Sequence, residues 1–550
     1  MAVRSNNTTV VIVGAGPTGA MLAIELARRG IEVSILDKQP ARSSESRAIG
    51  IHARTLEVFH QLGIVGEFLE LGHRVDGLAV HRRAGRPVRI HFSGIDSLYP
   101  FMLTLSQAET QRILEQRLED LGVTVQRGVR VLDLREDEDG VELRTIRFGE
   151  ERERTVRGDW VVGCDGTHSL VRRSLGLSFD GEDYAQDWLM AEVNIDRPPA
   201  RDHFHLFAFT APPLLVFPMP DGRWRVFLPQ VAGRSRNGRP PDMEEIEQLV
   251  AIRGPGCMKL SDPSLLATFR CYLRSSKVTR RGRVLIAGDA AHVHSPAGGQ
   301  GMNTGLHDAF NLGWKLALAA DGHAPAALLD TYQEERGPIA ADVMTVTHRL
   351  VRTFTISSPS QRWLRDRLLP VMRTPQVERR FATRLSQVAH NYRRGPLAPP
   401  PPGPRRRLIV PGDRLPGVRG LRLGGAEVSV FELLHAPVHT LLVMAGRRRH
   451  PANLENVVAR FARWEALAQT VAIDPGDGAI DGVVGDPGLR AHRRYGALGG
   501  RLVLVRPDGY VACSAPPSRP DVLERYLETL TGGRSADGTR EIQPAGVAAA

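Results

Sequence analysis

Apolar positions fall in three successive patterns over residues 8–37. TVVIVGAG is a continuous β-branched run, the signature of a strand buried on both faces. PTGAMLAIELARRG places apolar residues at helical spacing and stops at Gly30. IEVSILD then predicts a second strand. Helical periodicity recurs over 52–71 and 104–121, with short strands punctuated by Gly and Pro over 77–100. VTVQRGVRVLDLREDEDGVELRTI predicts antiparallel strands turning at Asp139-Gly140. WVVGCDGTHSLVRRSLG predicts a strand, a turn and a helix.

The pattern changes over 181–275, where strand-like stretches dominate (DWLMAEVNI, HFHLFAFT, LLVFPMP, RWRVFLP). RVLIAGDAAH at 283–292 returns to the buried-strand pattern and leads through a Gly-rich loop into the helix LHDAFNLGWKLALAA. Residues 326–394 read as mainly helical. RRGPLAPPPPGPRRR at 393–407 is an extended, proline-rich spacer. HTLLVMAG, RLVLVRPDGYVAC and DVLERYLETL predict strands and a closing helix beyond it.

The expected class is therefore α/β. One discontinuous α/β domain takes residues 1–76, 101–180 and 276–395, with a β-sheet domain from 77–100 and 181–275 inserted in it. A linker at 396–407 leads to a C-terminal domain at 408–531, and 532–550 is a small, polar tail expected to be disordered.

A length of 550 residues agrees with two or three domains. No apolar run is long enough to span a membrane, and the N-terminus has no secretory pattern, so a cytoplasmic location is expected. The four cysteines, Cys164, Cys257, Cys271 and Cys513, are scattered and form no CxxC. They predict neither a disulfide framework nor a cysteine-rich metal site. The net charge of +11 is spread along the chain, and clusters such as Arg405–Arg407 and Arg447–Arg449 lack interleaved aromatics. A dispersed charge is a solvated surface rather than a nucleic-acid footprint.

Three segments carry chemistry. Gly14-Ala15-Gly16-Pro17-Thr18-Gly19 lies between a strand and a helix. Gly14 permits the tight turn, Gly16 lets the backbone approach a pyrophosphate, and Gly19 allows helix–strand contact. The helix N-terminus, with Pro17 and Thr18, offers free N–H groups to phosphates. Asp37 ends the second strand, at the spacing that ribose recognition needs. This motif alone leaves NAD and FAD both open. The second segment is Gly163-Cys164-Asp165-Gly166. The third is Gly288-Asp289-Ala290-Ala291-His292 followed by Ser295–Gly305. Carboxylates at strand ends suit ribose or ribityl hydroxyls, and a glycine loop opening a helix presents N–H groups to negative charge. His292 and His294 form an HxH, but no third ligand is evident and no metal is expected.

In this order the segments resemble those of the FAD-dependent aromatic hydroxylases of the para-hydroxybenzoate hydroxylase type, over residues 8–350. GAGPTG is similar to that family's dinucleotide motif, CDGTHSLVRR to its DG motif, and GDAAHVHSPAGGQGMNTGLHDAFNLGWKL to its GD motif. PGDRLP and YGALGGRLVLVRPDGYVA resemble the thioredoxin-like C-terminal domain of the phenol hydroxylase branch, which includes polyketide hydroxylases of antibiotic biosynthesis. Without a CxxC, that domain has no dithiol redox role, and packing or dimerisation is expected of it. The resemblance implies a Rossmann-like FAD domain in a monomer or homodimer.

It also implies residue roles. Gly14, Gly16 and Gly19 meet the FAD pyrophosphate. Asp37 binds the adenosine ribose with Lys38 beside it. Arg47 lies along the FAD, Gln107 contacts it, and the backbone of Val131 touches the adenine. Asp289 holds the ribityl chain. Gly299, Gly301, Met302 and Asn303 surround the isoalloxazine, Pro296 sits near its oxygen-reacting face, and Asp165 serves FAD geometry and NAD(P)H use. The resemblance further implies that NAD(P)H, with NADPH favoured by the arginine-rich surface, would reduce the flavin, and that oxygen would then form a C4a-hydroperoxide able to hydroxylate a phenolic or polyketide-type aromatic. The flavin supplies the oxidant, so no triad is required, and the residues name no general base. Trp188, Phe204, Phe217 and Phe227 of the sheet-rich insert are candidate pocket walls. Baeyer–Villiger insertion, epoxidation and a non-oxygenating flavin reductase remain alternatives at this level.

Overall fold

A computed structural model of the chain describes residues 9–42, 48–83, 85–230, 239–356, 358–400, 409–447, 451–478 and 482–532. Arg47, linker residues 401–407, Arg448, Arg449 and the tail from 533 lie outside the described residues.

The first domain is built on a six-stranded sheet. Thr9–Val13 is central, flanked in parallel by Glu32–Asp37 and by Trp160–Gly163, and Val284–Ile286 continues the parallel set. In register, Val13 stands beside Leu36 on one side and Gly163 on the other, and Gly163 stands beside Ile286. Parallel strands end on the same edge. The three motifs, far apart in sequence, therefore open side by side at the carboxyl edge of one sheet, where ligands of doubly wound folds bind.

The helix Pro17–Ala27 packs against the helix Gly301–Ala320. Contact is close because glycines line it: a Cβ on Gly313 would lie 2.5 Å from Glu25 Cβ, and one on Gly305 would lie 2.4 Å from Thr18 Oγ1.

The insert forms an eight-stranded sheet that combines Gly77–His81 and Val88–His91 with Asp180–Asp196, His203–Phe207, Leu214–Pro218, Trp224–Pro229 and Lys259–Ser275. The short strand His292–Val293 of the third motif pairs antiparallel with Arg274 and Ser275. One peptide segment thus joins the dinucleotide edge to the insert sheet. Two features were not expected from the pattern: the helix Met243–Arg253, and the length of Lys259–Ser275. The latter includes Asp262 at φ 51° and Pro263, at an irregularity in the ladder. Proline is tolerated in a sheet at such a place. The helical stretch 52–71 is two helices, Ala53–Gln61 and Val65–Leu71, separated by Gly63 at φ 74°.

The C-terminal domain is a seven-stranded mixed sheet. His439–Met444 runs parallel to Ala468–Asp474 and antiparallel to Arg501–Val505, which pairs antiparallel with Val511–Ala515. The helix Asp521–Leu530 covers one face, where Leu523 and Leu527 join the core of Leu441, Val443 and Leu504.

Candidate functional site: a nucleotide cradle facing an aromatic wall

The glycine loop is held from three sides. Gly14 sits at φ 102°, and a Cβ there would lie 2.5 Å from the Cys164 carbonyl oxygen. A Cβ on Gly19 would lie 1.9 Å from the Gly14 carbonyl oxygen. Gly16 is different: a Cβ there would meet nothing within 4 Å, so its backbone borders open space. Gly16 is also the N-cap of the Pro17–Ala27 helix, with no capping side chain and no acidic residue in the first turn. The orphan N–H groups and the helix dipole at this point favour an anion. These residues fit the pyrophosphate of a dinucleotide.

Asp37 braces the loop. Its Oδ2 accepts the Ala15 N–H at 2.7 Å and its Oδ1 accepts the Gln39 N–H at 2.8 Å. A carboxylate has further lone pairs for ribose hydroxyls. Lys38 is exposed beside it. Gln111, which the sequence did not single out, donates from Nε2 to the Ala15 carbonyl at 2.8 Å. Gln107, one turn earlier, accepts the Ala48 N–H at 3.2 Å and thereby anchors the segment that follows Arg47. Val131 is buried against Val11, Val13 and Leu36, on the edge strand of a three-stranded sheet. Its side chain is core, which leaves its backbone for any ligand contact.

Asp165 caps a helix. Its Oδ2 accepts the Leu170 N–H at 2.6 Å and the Val171 N–H at 3.3 Å, while its buried Oδ1 has no partner. The backbone after Asp165 borders open space at Gly166, as at Gly16. Asp289 is exposed in the turn Gly288–Ala290.

Helix Gly301–Ala320 organises the third motif. Asp308, fully buried, accepts from His292 Nε2 at 2.6 Å, from the Gly288 N–H at 3.3 Å and from Arg336 Nε at 2.7 Å. One carboxylate thus grips both ends of the turn that displays Asp289. Burial alone would raise the Asp308 carboxyl, but His292 and Arg336 outweigh it and hold it below the ordinary carboxylate range. Each imidazole of the HxH pair spends one ring nitrogen on protein, His292 Nε2 on Asp308 and His294 Nδ1 on the Ser295 carbonyl at 2.9 Å, while His292 Nδ1 and His294 Nε2 are buried without a hydrogen-bond partner. Neither Asp308 nor Arg336 stood out in the sequence. The only available signal was an acidic and a basic residue at apolar-face positions of their helices.

Asn303 lies in the first turn of the same helix and is completely buried. Its Oδ1 accepts the His52 N–H at 2.9 Å and the Thr55 hydroxyl at 2.7 Å, and its Nδ2 donates to the carbonyls of Gly50 at 2.8 Å and Gly299 at 2.7 Å. The amide is spent on protein, so only the Asn303 backbone is left to face a cofactor. His52 Nε2 donates to the Gly298 carbonyl at 2.8 Å. Burial pushes this imidazole down to about 4 despite the Gly298 and Gly299 carbonyls. Pro296 accepts the Gly299 N–H at 2.9 Å, and Gly298 and Gly299 are left-handed at φ 81° and 63°. The loop ends at Gln300, where no side chain caps the helix and its first turn, Gly301 to Asn303, has no acid. Met302 packs at the rim of the main core.

Across this loop stands the insert sheet. Phe217 meets Phe227 edge to face at 5.6 Å, Phe227 meets Phe269 likewise at 6.3 Å, and Phe269 stacks on Trp188 at 6.3 Å. Ala297 of the glycine loop packs against this cluster, as do Ile49 and Met190. Phe269 had not been expected here, because it lies in the long strand that the pattern did not resolve. Phe204 stacks on Phe217 at 5.0 Å but belongs to the main core beside Phe92, one layer behind the wall.

A pyrophosphate cradle at the carboxyl edge of a doubly wound sheet, joined to an aromatic-walled second sheet, defines a dinucleotide-dependent enzyme. Residues 7–347 match the family model described as an FAD binding domain, and the chain belongs to that family. It is 33% identical over 578 residues to a 6-methylpretetramide 4-monooxygenase of Streptomyces rimosus, with 98% of this chain and 99% of that protein covered. It is 30% identical to a pentachlorophenol 4-monooxygenase of Sphingobium chlorophenolicum, with 96% and 97% covered. The solved anhydrotetracycline hydroxylase of Streptomyces rimosus superposes with a TM-score of 0.78 at 30% identity, covering 96% of this chain and all of that one. The chain is an FAD-dependent monooxygenase. Among the described residues no helix is long and apolar enough to cross a membrane, and no group of His, Cys, Asp and Glu is placed to hold a metal.

Proposed function

We propose that the protein hydroxylates an electron-rich, phenolic or fused-ring polyketide substrate, with NADPH as the reductant and oxygen as co-substrate. The observation that carries this reading is the wall of Trp188, Phe217, Phe227 and Phe269 set against Ala297 of the glycine loop. Aromatic side chains pack a flat substrate in offset or edge-to-face contact and keep water from it. When bound, FAD supplies the oxygen-activating chemistry.

The residues of the chain do the rest. The backbone at Gly14, Gly16, Pro17, Thr18 and Gly19 holds the pyrophosphate, Asp37 and Lys38 the adenosine end together with Arg47 and Val131, and Gln107 the segment leading to them. Asp289 holds the ribityl hydroxyls, and Asp165 fixes the helix beside them. The N–H groups of Gly301, Met302 and Asn303, at the uncapped start of the helix, would face the reacting ring and stabilise negative charge on it. Gly299, whose N–H is held by the Pro296 carbonyl, would line the ring with its backbone. Pro296 shapes the face at which oxygen meets the substrate. NADPH, rather than NADH, is favoured by the net charge of +11. The fold of the C-terminal domain is thioredoxin-like, supported by the strand pattern of residues 439–515. It has a single cysteine, the buried Cys513, which excludes a dithiol pair within it. The protein acts in the cytoplasm as a monomer or homodimer.

The test is flavin reduction followed by absorbance under labelled oxygen, with NADPH or NADH and a panel of phenols and naphthols. One aromatic should accelerate bleaching and yield a product carrying a single labelled oxygen on a ring carbon. NADPH oxidation that yields only peroxide with every aromatic in the panel would overturn the reading.

A further inference from the structure

The turn at Arg506–Gly509 of the C-terminal domain enters the flavin domain and ends in a buried network of charges. Arg506 donates to both oxygens of Glu335, at 2.6 and 2.8 Å, and to both of Asp508, at 3.0 and 2.6 Å. Glu335 Oε2 also accepts from Lys315 Nζ at 2.7 Å and from Asn311 Nδ2 at 2.9 Å. Asn311 Nδ2 is shared with Asp508 Oδ2 at 3.0 Å. The carbonyl of Asp508 accepts from Arg54 at 2.7 Å, and Arg54 in turn binds Glu57. None of these side chains is more than 2% exposed. Burial would raise the Glu335 carboxyl, yet Arg506 and Lys315 hold it well below the ordinary range.

Buried ion pairs are a costly way to dock a domain, since apolar contacts of similar volume do it as well, but they specify register. The partners here are specific. Asn311 and Lys315 lie on the helix Gly301–Ala320, whose first turn carries Asn303. Arg54 is adjacent to Thr55, whose hydroxyl donates to Asn303 Oδ1 at 2.7 Å. The turn therefore grips both walls of the Asn303 seat, and Asn303 holds Gly299. The helix cannot slide or rotate without breaking the Asn311 fork and stranding charge.

We propose that Arg506 and Asp508 are positioning residues of the flavin site, and that the C-terminal domain sets the axial position of the 301–320 helix and thereby the loop Gly298–Gly301. The inference rests on the flavin reading of that loop. Its test uses the full-length chain and the isosteric Asp508→Asn variant, with Arg506→Lys as the variant that keeps charge. Arg460→Ala is the control, because it cuts the Arg460–Glu524 contact within the same domain, away from the turn. Amide exchange over 299–304 is followed without FAD, and FAD affinity by fluorescence titration.

Asp508→Asn should speed exchange over 299–304 about tenfold and weaken FAD by a similar factor, at unchanged circular dichroism. Arg506→Lys should fall between it and the parent, and Arg460→Ala should change neither readout. Asp508→Asn and Arg506→Lys both within twofold of the parent in exchange, or Arg460→Ala shifting exchange as much as they do, would overturn the proposal. A parent chain that takes up no FAD would instead defeat the flavin reading, and the exchange measurement would still judge the clamp.

Discussion

The Asn303 carboxamide donates to the Gly299 carbonyl at 2.7 Å and so fixes the glycine loop to the helix it opens. Asn303 makes four hydrogen bonds in a fully buried site. Replacing it with Ala leaves the His52 N–H, the Thr55 hydroxyl and two carbonyls without this partner. Each stranded buried group costs about 1–3 kcal/mol before relaxation. Asn303→Ala should lower stability by about 3 kcal/mol in urea denaturation and weaken FAD at least tenfold. Asn303→Asp should be no better for FAD, because a carboxylate cannot donate to Gly50 and Gly299.

Gly16 and Gly19 separate folding from binding. Gly16 has φ −66° and ψ 177°, an ordinary conformation for alanine, and open space where the Cβ would point. Gly16→Ala should keep the melting temperature of the FAD-free protein within about 1 °C while reducing FAD affinity more than tenfold. Gly19→Ala drives its Cβ to 1.9 Å from the Gly14 carbonyl oxygen. It should lower the FAD-free melting temperature by several degrees, since overpacking costs about 1–3 kcal/mol. Equal losses of melting temperature in the two variants would mean that the space beside Gly16 is not a ligand cradle.

These contrasts show what a sequence of this kind discloses. The strand–turn–helix units around Gly14, Gly163 and Gly288 were legible because a strand buried on both faces and a glycine turn each leave a local signature. Their meeting at one sheet edge follows from parallel pairing, which the alternation of strands and helices already implied. What the pattern missed depends on distant partners. Asp308 reads as one acidic residue on a helix until Gly288, His292 and Arg336 are seen around it. Phe269 was hidden in a strand broken by Asp262 and Pro263. Arg506 and Asp508 stood unremarked inside the strand-forming stretch RLVLVRPDGYVAC, and only the fold shows that their turn is buried against another domain.

Acid should destabilise the protein well before its carboxylates titrate. Burial lowers His52 to about 4, and His390 and His439 to about 3, from an ordinary value of 6.5. Below pH 6.5 the unfolded chain takes up protons on these imidazoles and the folded chain does not. Stability therefore rises with pH across the window from about 4 to 6.5 and is lost as the pH falls through it. Each histidine contributes at most about 1.4 kcal/mol per pH unit. Urea midpoints at pH 7.5, 6.0 and 5.0 measure the slope, and His439→Gln should flatten it by about one proton. A midpoint independent of pH between 5 and 6.5 would contradict the burial of these three groups in the folded state.

The aromatic wall makes the sharpest claim about substrate. Phe227 touches both Phe217 and Phe269 and lies in the cluster that packs on Ala297 of the loop. Phe204 stacks behind Phe217, in the main core. Both are buried, so truncation to Ala would cost either one about 3–5 kcal/mol and blur the comparison. Leucine keeps most of the volume and removes the ring. Phe227→Leu should leave FAD affinity within twofold, raise the KM for the aromatic substrate about tenfold and divert NADPH oxidation towards peroxide. Phe204→Leu should lower the melting temperature by a comparable amount with little change in KM or in product formed per NADPH. If the two variants shift KM equally, the substrate does not lie against the Phe217–Phe227–Phe269 face, and the layer containing Phe204 is part of the pocket.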